Sequence, residues 1–365
     1  MRSLIKLIIL FFLLPNFFTF SQGCDSISLD NINNPGPYTY DTILENDGMR
    51  DGPDYLGSTL YYPIGAELPY SSLILVPGFV SPESALSEWG PYLASHGIIV
   101  MTIGTNTLID LPLDRANALL DAVQTLQEEN DRDSSPVFQQ IDVNKISVGG
   151  HSMGGGGAQI AATMNGSLGS VISLNPWIQP SLVDYDYLNH SVPHLIISGQ
   201  DDTTAPVNEH ANVHYDYTPN TTPKAIYEIE NGSHSTGRFP STTNNYAGKI
   251  VLSWLNFFTS DNDCYFPLLL EYPEEASVYQ NNLETFSFAE DQYSVIKFYP
   301  NPVVDFITFR SEYTSKEKYI MLNNIGQIVL KGEIKNNTEI IDLSSLSSGL
   351  YILKVKNTSF RIIKK

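Results

Sequence analysis

The chain has 365 residues, of which 42% are apolar, and a formal net charge of −20. This length allows two or three domains with a sizeable core. So acidic a chain is unsuited to binding nucleic acid through phosphate contacts or to anionic substrates, and neutral substrates fit better. The two cysteines are too few for a structural metal site, and we predict neither a metal nor a cofactor.

The N-terminus has the pattern of an export signal. Positive charge precedes the apolar run Leu7–Leu14, which is too short to span a bilayer. The small residues Thr19 and Ser21 suit signal-peptidase cleavage. We therefore predict a signal peptide over residues 1–21 and a protein that leaves the cytoplasm.

The two cysteines, Cys24 and Cys264, both remain after this cleavage. Because an exported protein can keep a disulfide, we predict that they pair. The bond would tie the mature N-terminus to the end of the first domain and contribute roughly 5 kcal/mol in the chain-entropy model. The alternative is lipid acylation of Cys24, although the leucine usual three residues before such a cysteine is missing.

Residues 22–266 alternate short apolar runs with helical patterns, which predicts an α/β fold with a mostly parallel sheet. The predicted strands are Ser58–Tyr62, Ser72–Val76, Ile98–Ile103, Lys145–Val148, Val171–Leu174, His194–Ser198 and Ala225–Ile229. Apolar residues at helical spacing predict one helix from Leu113 to Leu126 and another from Tyr246 to Phe258. A further helix is expected directly after Ser152.

The C-terminal part of the chain differs in pattern and in charge. Residues 267–294 are rich in Glu, Asn and Gln without a clear period, which predicts a linker. From Ser294 onward there are 11 basic and 6 acidic residues, against 9 and 34 before it. Short strands separated by Asn-, Ser- and Gly-rich turns predict a small β-sandwich over residues 295–365. These strands are Ile296–Tyr299, Phe306–Phe309, Tyr319–Leu322, Gln327–Leu330, Glu339–Ile341, Leu350–Val355 and Phe360–Ile363.

A candidate nucleophile follows the predicted strand Lys145–Val148. Gly150-His151-Ser152-Met153-Gly154 is a G-x-S-x-G motif between a strand and a helix, the context of a nucleophile elbow. Glycines flank the serine because side chains there would clash with the sheet. We predict that Ser152 is the nucleophile and that the Met153 N–H is an oxyanion donor. The alternative is a glycine-rich structural turn.

This elbow is typical of the α/β-hydrolase fold, which we predict for residues 22–266. The serine needs a base and an orienting carboxylate, which in the α/β-hydrolase fold follow it as acid and then histidine. The strand His194–Ser198 leads into Asp201 and Asp202, and the strand Ala225–Ile229 leads into His234. Both loops emerge at the carboxyl edge of the sheet, as the serine does. His234 is therefore predicted as the base, whereas this reasoning leaves Asp201 and Asp202 unresolved.

The six other histidines are assigned structural or surface positions. His151 is the variable residue of the elbow and faces away from the neighbouring hydroxyl. His96 and His194 are predicted to be structural. His190, His210 and His214 are predicted to lie on the surface.

The second oxyanion donor is expected in the loop after the strand Ser72–Val76. Pro77-Gly78-Phe79-Val80 offers a glycine turn followed by the Phe79 backbone N–H. We therefore predict Phe79 as the second donor. Loss of one such donor typically costs on the order of 100- to 1000-fold in rate.

At these residues the sequence resembles the bacterial cutinase and poly(ethylene terephthalate) hydrolase family. The resemblance spans roughly residues 45 to 262 in the family's order. It rests on Val76-Pro-Gly-Phe79, Trp89-Gly-Pro-Tyr-Leu-Ala-Ser-His-Gly97, Gly150-His-Ser-Met-Gly-Gly-Gly-Gly157, Leu174-Asn-Pro-Trp177, Asp202-Thr-Thr-Ala-Pro-Val207 and Gly232-Ser-His-Ser235. In this family the catalytic acid directly precedes x-x-Ala-Pro-Val, which selects Asp202 over Asp201.

The resemblance also implies a substrate cleft. Phe79, where the family usually has tyrosine, and Trp177 would line it and stack on aromatic or acyl segments. Val80, His151 and Thr204 are predicted to bind substrate beside them. Some relatives carry a second disulfide that braces the acid and base loops, and this chain has no cysteine near either loop.

Residues 295–365 resemble the C-terminal sorting domain of type IX secretion. The match rests on Phe298-Tyr-Pro-Asn-Pro302, Asn324-Ile-Gly-Gln327, Leu346-Ser-Ser-Gly-Leu-Tyr351 and Ile362-Ile-Lys-Lys365. This implies contact with the type IX machinery and translocation across the outer membrane. The alternative is a β-sandwich module that binds carbohydrate or polymer.

Together these observations predict a secreted serine ester hydrolase that cleaves polymeric or hydrophobic esters and acts as a monomer. A general carboxylesterase or short-chain lipase would use the same catalytic residues. A peptidase of this fold is disfavoured, because such enzymes usually carry an additional large domain. The non-enzymatic alternative is an exported adhesin.

Overall fold

The computed structural model describes residues 27–179, 186–242, 246–285, 297–299, 301–310, 317–323, 327–336, 338–355 and 358–365. The chain forms two compact units, Met1–Asn281 and Asn282–Lys365. The predicted signal peptide lies outside the described residues. Cys264 is disulfide-bonded; its predicted partner Cys24 also lies outside them, so that pairing stays a prediction. Within the described ranges, none of the helices combines the length and the hydropathy that a membrane-spanning helix needs.

The first unit is built on a nine-stranded sheet with the order β1-β2-β4-β3-β5-β6-β7-β8-β9. Pairing is parallel from β4 through β3 and β5 to β8, whereas β1, β2 and β9 join antiparallel at the two edges. The strands are β1 (Thr39–Leu44), β2 (Ser58–Ile64), β3 (Tyr70–Val76), β4 (Ile99–Ile103), β5 (Ile141–His151), β6 (Val171–Leu174), β7 (His194–Gly199), β8 (Lys224–Ile229) and β9 (Ala276–Asn281). All seven predicted strands are present, and the mostly parallel α/β fold is confirmed.

In the part of the chain that the structure describes, five α-helices accompany this sheet. They are α1 (Trp89–Ala94), α2 (Pro112–Asp131), α3 (Met153–Met164), α4 (Ala211–Tyr217) and α5 (Tyr246–Thr259). On α5, Ile250 and Trp254 are fully buried, because the apolar stripe that predicts the helix faces the core. On α2, Leu113 departs from the predicted stripe and is 51% exposed, because it lies in the first turn, beside the loop that precedes the helix.

The first part of the segment predicted as a linker over residues 267–294, residues 267–281, belongs to the first unit. Pro267–Leu269 forms a short 3-10 helix, and β9 pairs antiparallel with β8 along its whole length. Val278 lies opposite Glu228, and the Tyr279 hydroxyl donates a hydrogen bond of 2.6 Å to the Leu269 carbonyl. An edge strand of mixed polarity lacks the apolar run that marks a buried strand, which explains why the sequence pattern missed it.

The described residues of the second unit form two antiparallel sheets. One has the order β10-β11-β14 and the other β13-β12-β15-β16. The strands are β10 (Lys297–Tyr299), β11 (Phe306–Arg310), β12 (Glu317–Leu322), β13 (Ile328–Ile334), β14 (Thr338–Asp342), β15 (Gly349–Val355) and β16 (Thr358–Lys364). Ile307 and Ile341 from the first sheet share one buried core with Met321 and Leu353 from the second. This shared core is what a β-sandwich requires.

Three of the histidines predicted to lie on the surface are buried. His190 and His210 are each 6% exposed and His214 is fully buried, beside the fully buried His194. The rings of His190 and His194 lie 5.7 Å apart, and those of His194 and His214 lie 6.4 Å apart. The prediction failed because a neutral imidazole is small and apolar enough for a core, and its neighbours in sequence give no periodic signal of burial.

We expect the hydrolase unit to lose stability as pH falls. Burial lowers the pKa of His190 to about 4 and that of His214 to about 3, and holds that of His194 well below its usual range. These pKa values lie below the value of about 6.5 in an unfolded chain, so protons bind the unfolded chain preferentially. The free energy of unfolding is therefore highest above about pH 6.5. Between roughly pH 6 and pH 4.5 it should fall by about 1.4 kcal/mol per pH unit for each of these histidines.

Urea unfolding at a series of pH values, followed by tryptophan fluorescence, would measure this slope. All three tryptophans of the chain lie in the first unit, so the signal reports on that unit alone. His190→Leu should reduce the slope of unfolding free energy against pH by about 1.4 kcal/mol per pH unit, which is the contribution of one proton. An unfolding free energy that stays constant from pH 7 to pH 4.5 would contradict the expectation.

Candidate active site

The turn between β5 and α3 has the backbone geometry of a nucleophile elbow. Ser152 has φ 56° and ψ −120°, a conformation that residues other than glycine rarely adopt and that concentrates at functional sites. A Cβ on Gly78 would lie 2.8 Å from the Ser152 Cβ, and one on Gly150 would lie 2.5 Å from the Gly154 carbonyl carbon. The glycines therefore allow three backbone segments to meet at the serine.

Ser152, His234 and Asp202 form a continuous hydrogen-bonded chain. The His234 Nε2 lies 2.9 Å from the Ser152 Oγ, and the His234 Nδ1 lies 2.7 Å from the Asp202 Oδ2. Because a carboxylate only accepts hydrogen bonds, Nδ1 carries the imidazole proton and Nε2 is free to accept the serine proton. The structure thus brings together the three predicted side chains, which come from loops after β5, β7 and β8.

Asp202 is buried and held as a carboxylate, whereas Asp201 beside it is exposed. Burial raises the pKa of Asp202, but hydrogen bonds from His234 and from backbone N–H groups outweigh it, and the pKa lies below its usual value. Thr204 and Ala205 donate their N–H groups to the Asp202 Oδ1 at 2.9 and 2.8 Å. A negative charge is therefore maintained next to His234 at neutral pH.

The loop that carries Phe79 is fixed by a residue that the sequence analysis missed. Arg115 is fully buried, and its guanidinium donates hydrogen bonds to the carbonyls of Pro77 at 2.8 Å and Asp110 at 3.0 Å. The Val80 N–H donates to the Leu108 carbonyl at 2.8 Å. An arginine among leucines and alanines of an amphipathic helix is usually assigned to the solvent face, so only the structure reveals this role.

The residues predicted to bind substrate occupy different environments. Phe79 and Val80 are 53% and 54% exposed. Trp177 is half-buried and stacks on the His210 ring, with centroids 5.9 Å apart and planes at 25°. The Thr204 side chain is exposed. In the described ranges, no group of three or more His, Cys, Asp or Glu residues could hold a metal ion.

His151 lies beneath the site rather than on its surface. It is 6% exposed, and its Nε2 donates a hydrogen bond of 2.7 Å to the His234 carbonyl. Burial lowers the pKa of His151 to about 3, so the ring is neutral at any pH at which the enzyme would work. This placement argues against the predicted contact with substrate and gives His151 a structural contact with the base loop.

A second residue without a predicted role, Asn175, lies among the acid and base loops. It is 1% exposed, and its Nδ2 lies 3.1 Å from the Asp202 Oδ2. It follows β6, one position before the proline of the Leu174–Trp177 motif. A polar residue directly after a buried parallel strand is the available sequence signal, because such positions lie at the carboxyl edge of the sheet.

Comparison with known protein families agrees with this geometry. The model of the PET hydrolase-like family matches residues 33–286. The chain belongs to the PET hydrolase-like family. The matched residues include the nucleophile elbow, the two loops that carry Asp202 and His234, and strand β9.

The chain is similar to several named proteins. A bis(hydroxyethyl) terephthalate hydrolase from Streptomyces coelicolor is 36% identical to it over 240 residues, covering 65% of this chain and 73% of that protein. Cutinase est1 from Thermobifida alba is 34% identical, covering 65% of this chain and 76% of its own length. Cutinase 2 from Thermobifida cellulosilytica is 34% identical, covering 66% and 87%. These proteins are named for carboxylic ester hydrolysis.

Residues 297–365 match the model of the secretion system C-terminal sorting domain. This match confirms the assignment made from the motifs of the second unit. A sorting domain joined to a PET hydrolase-like domain indicates an extracellular or cell-surface protein.

Proposed function

We propose that the protein is a secreted ester hydrolase that cleaves polyesters through an acyl-enzyme on Ser152. The observation that carries this proposal is the hydrogen-bonded chain from the Ser152 Oγ through His234 to the Asp202 Oδ2, with distances of 2.9 and 2.7 Å. Both lie within the reach needed for proton transfer from a serine nucleophile to its base.

In acylation, the His234 Nε2 takes the proton of the Ser152 Oγ while that oxygen attacks the ester carbonyl carbon. The carbonyl oxygen becomes the oxyanion of the tetrahedral intermediate. Asp202 stabilises the imidazolium and keeps the proton on Nδ1. When the intermediate collapses, the ester C–O bond breaks and the Nε2 proton goes to the leaving alkoxide oxygen.

Deacylation repeats these steps with water. His234 takes a proton from the water, whose oxygen attacks the acyl carbon, and then returns a proton to the Ser152 Oγ as the acid leaves. We assign the oxyanion site to the backbone N–H groups of Phe79 and Met153. Met153 is the first residue of α3, so the positive end of the helix dipole adds to its hydrogen bond.

Exposed apolar side chains beside the elbow favour a hydrophobic polymer as the substrate. We define the apolar rim as Phe79, Val80, Leu108, Ile109 and Leu111, which are between 45% and 63% exposed. The rim occupies two loops joined by the Val80–Leu108 hydrogen bond. Apolar surface of this kind gains free energy when it contacts an apolar material, and the acidic chain repels anionic substrates, so a neutral polyester fits both features.

The proposal is tested by comparing soluble and polymeric esters. Wild-type protein is given p-nitrophenyl esters of increasing acyl length and, in parallel, an amorphous polyester film. We expect turnover of the soluble esters and release of soluble acid and alcohol products from the film. Leu108→Ser/Ile109→Ser should lower film release several-fold while p-nitrophenyl acetate turnover stays within about twofold, because only the film reaches across the rim.

The other possible functions give different outcomes in the same experiment. Turnover confined to short soluble esters would favour a general carboxylesterase or short-chain lipase. Absence of all ester turnover in folded protein would favour an exported adhesin. Equal loss of soluble-ester and film activity in the rim variant would contradict a separate polymer contact.

A further inference from the structure

We propose that Asn175 is a positioning residue for the triad, holding Asp202 and the His234 loop in the arrangement that proton transfer requires. This proposal rests on the function proposed above and deepens it. Asn175 does not reach the Ser152 Oγ through any contact in the described residues, so its effect would act through Asp202 and His234.

Three hydrogen bonds fix the Asn175 side chain. Its Nδ2 donates to the Asp202 Oδ2 at 3.1 Å and to the Ser233 carbonyl at 3.2 Å, while its Oδ1 accepts from the Gly237 N–H at 2.7 Å. Two acceptors face the nitrogen and a donor faces the oxygen, so only one orientation of the amide satisfies all three partners. The side chain cannot rotate by 180° without facing a carboxylate with its own oxygen.

The contact with Asp202 is made at the oxygen that matters for catalysis. The Asp202 Oδ2 accepts from both the His234 Nδ1 and the Asn175 Nδ2, whereas Oδ1 accepts from backbone N–H groups. With donors on both oxygens, the plane of the carboxylate is fixed relative to the imidazole. Hydrogen bonds of this kind, between a donor and an ionised acceptor in a buried site, are stronger than neutral ones.

Asn175 also joins the acid loop to the base loop. Ser233 precedes His234 directly, and Gly237 lies three residues after it, so the amide contacts the base loop on both sides of the imidazole. Neither loop contains a cysteine, and the connection is made by hydrogen bonds: the Asp201 N–H also donates to the Gly232 carbonyl at 2.8 Å. The acid loop and the base loop are thus connected by hydrogen bonds.

The backbone of Asn175 explains why asparagine suits this position. Its φ is 44°, in the left-handed region where asparagine, aspartate and glycine are tolerated and bulkier residues are strained. This allows two informative substitutions. Asn175→Gly removes all three hydrogen bonds without adding backbone strain. Asn175→Asp keeps the shape and the acceptor for the Gly237 N–H, but replaces the donor by an oxygen.

The first test compares kinetic constants for a soluble p-nitrophenyl ester. We expect Asn175→Gly to lower kcat on the order of 10- to 100-fold, because small misplacements of a catalytic group have effects of this size. KM should stay within about twofold, since Asn175 is only 1% exposed and offers substrate almost no surface. Titration of Ser152 to completion with a fluorophosphonate corrects for misfolded protein. A kcat within twofold of wild type, or a loss confined to KM, would overturn the proposal.

The second test uses the pH dependence of Asn175→Asp. Two carboxyl groups about 3 Å apart share a proton, which raises one pKa strongly. While that proton is present, its O–H can replace the amide donor; once it is lost, the two carboxylates repel each other. The kcat of Asn175→Asp should therefore decline towards alkaline pH, where wild type and Asn175→Gly keep a plateau. A profile with the same shape as that of Asn175→Gly would overturn the proposal.

A spectroscopic measurement separates this proposal from the proposed function. The His234 Nδ1 proton in the hydrogen bond to Asp202 gives a low-field proton resonance that does not depend on turnover. We expect this resonance to shift in both Asn175 variants. If wild type hydrolyses no ester, the proposed function fails, and the resonance still decides whether Asn175 positions Asp202: an unchanged resonance in both variants would refute that role.

Discussion

Replacing Ser152 with alanine should lower kcat for soluble esters by roughly 10⁶-fold, the effect seen when the nucleophile of such a triad is removed. The Oγ is the atom that forms the acyl bond, and no other hydroxyl in the described residues accompanies it at the His234 Nε2. Alanine, like serine, is an L-residue with a Cβ, so the strained backbone at φ 56° is left as it is. Progress curves with a p-nitrophenyl ester measure the loss.

Two controls accompany this variant. Thermal unfolding should show a transition close to that of wild type, since within the described residues the Ser152 hydroxyl makes a single hydrogen bond, to His234. A fluorophosphonate should label wild-type protein with one equivalent and leave Ser152→Ala unlabelled. Substantial ester cleavage by folded Ser152→Ala would refute the assignment of the nucleophile.

Replacing Asp202 with asparagine should lower kcat by about 10⁴-fold. An asparagine would present its NH₂ group towards His234, which favours the tautomer with the proton on Nε2 and leaves no acceptor for the serine proton. The backbone N–H groups of Thr204 and Ala205 would also lose their charged acceptor. The kcat for a soluble p-nitrophenyl ester at neutral pH would record the loss.

Asp201 provides the matched control for this substitution. Asp201→Asn makes the same chemical change one residue earlier on the same loop, at an exposed side chain. Its kcat should stay within about twofold of wild type. A large loss in Asp201→Asn with little loss in Asp202→Asn would reverse the assignment of the acid.

Much of the hydrolase fold was predictable because its central strands are continuous apolar runs, as strands buried on both faces must be. The proximity of Ser152 and His234 was predictable because each follows a strand of the parallel part of the sheet, and such strands end at the same edge. Physics alone did not separate Asp202 from Asp201, since both follow β7. In the structure they differ in burial, and burial at adjacent loop positions has no signature in the sequence.

The remaining features depend on partners that are distant in the chain. Arg115 is buried because three backbone carbonyls from two loops converge on it, and Asn175 is buried because two loops that start 25 to 60 residues later close over it. His190, His194 and His214 are likewise buried by residues from distant parts of the chain, and this burial keeps them neutral. Strand β9 was missed because its hydrogen bonds, rather than its apolar residues, fix it in the sheet.

Strand β9 also sets a limit on where the enzyme can be trimmed. It covers the outer side of β8, and the Glu230 N–H, just before the base loop, donates to the Glu275 carbonyl at 2.8 Å. A protease that removed the sorting domain and digested the chain back to residue 266 would also remove β9. The backbone groups of β8 would then be unpaired and could hydrogen-bond with a strand of another molecule. If the sorting domain is removed, we therefore expect the cut to lie beyond Asn281, so that β9 and the base loop stay intact.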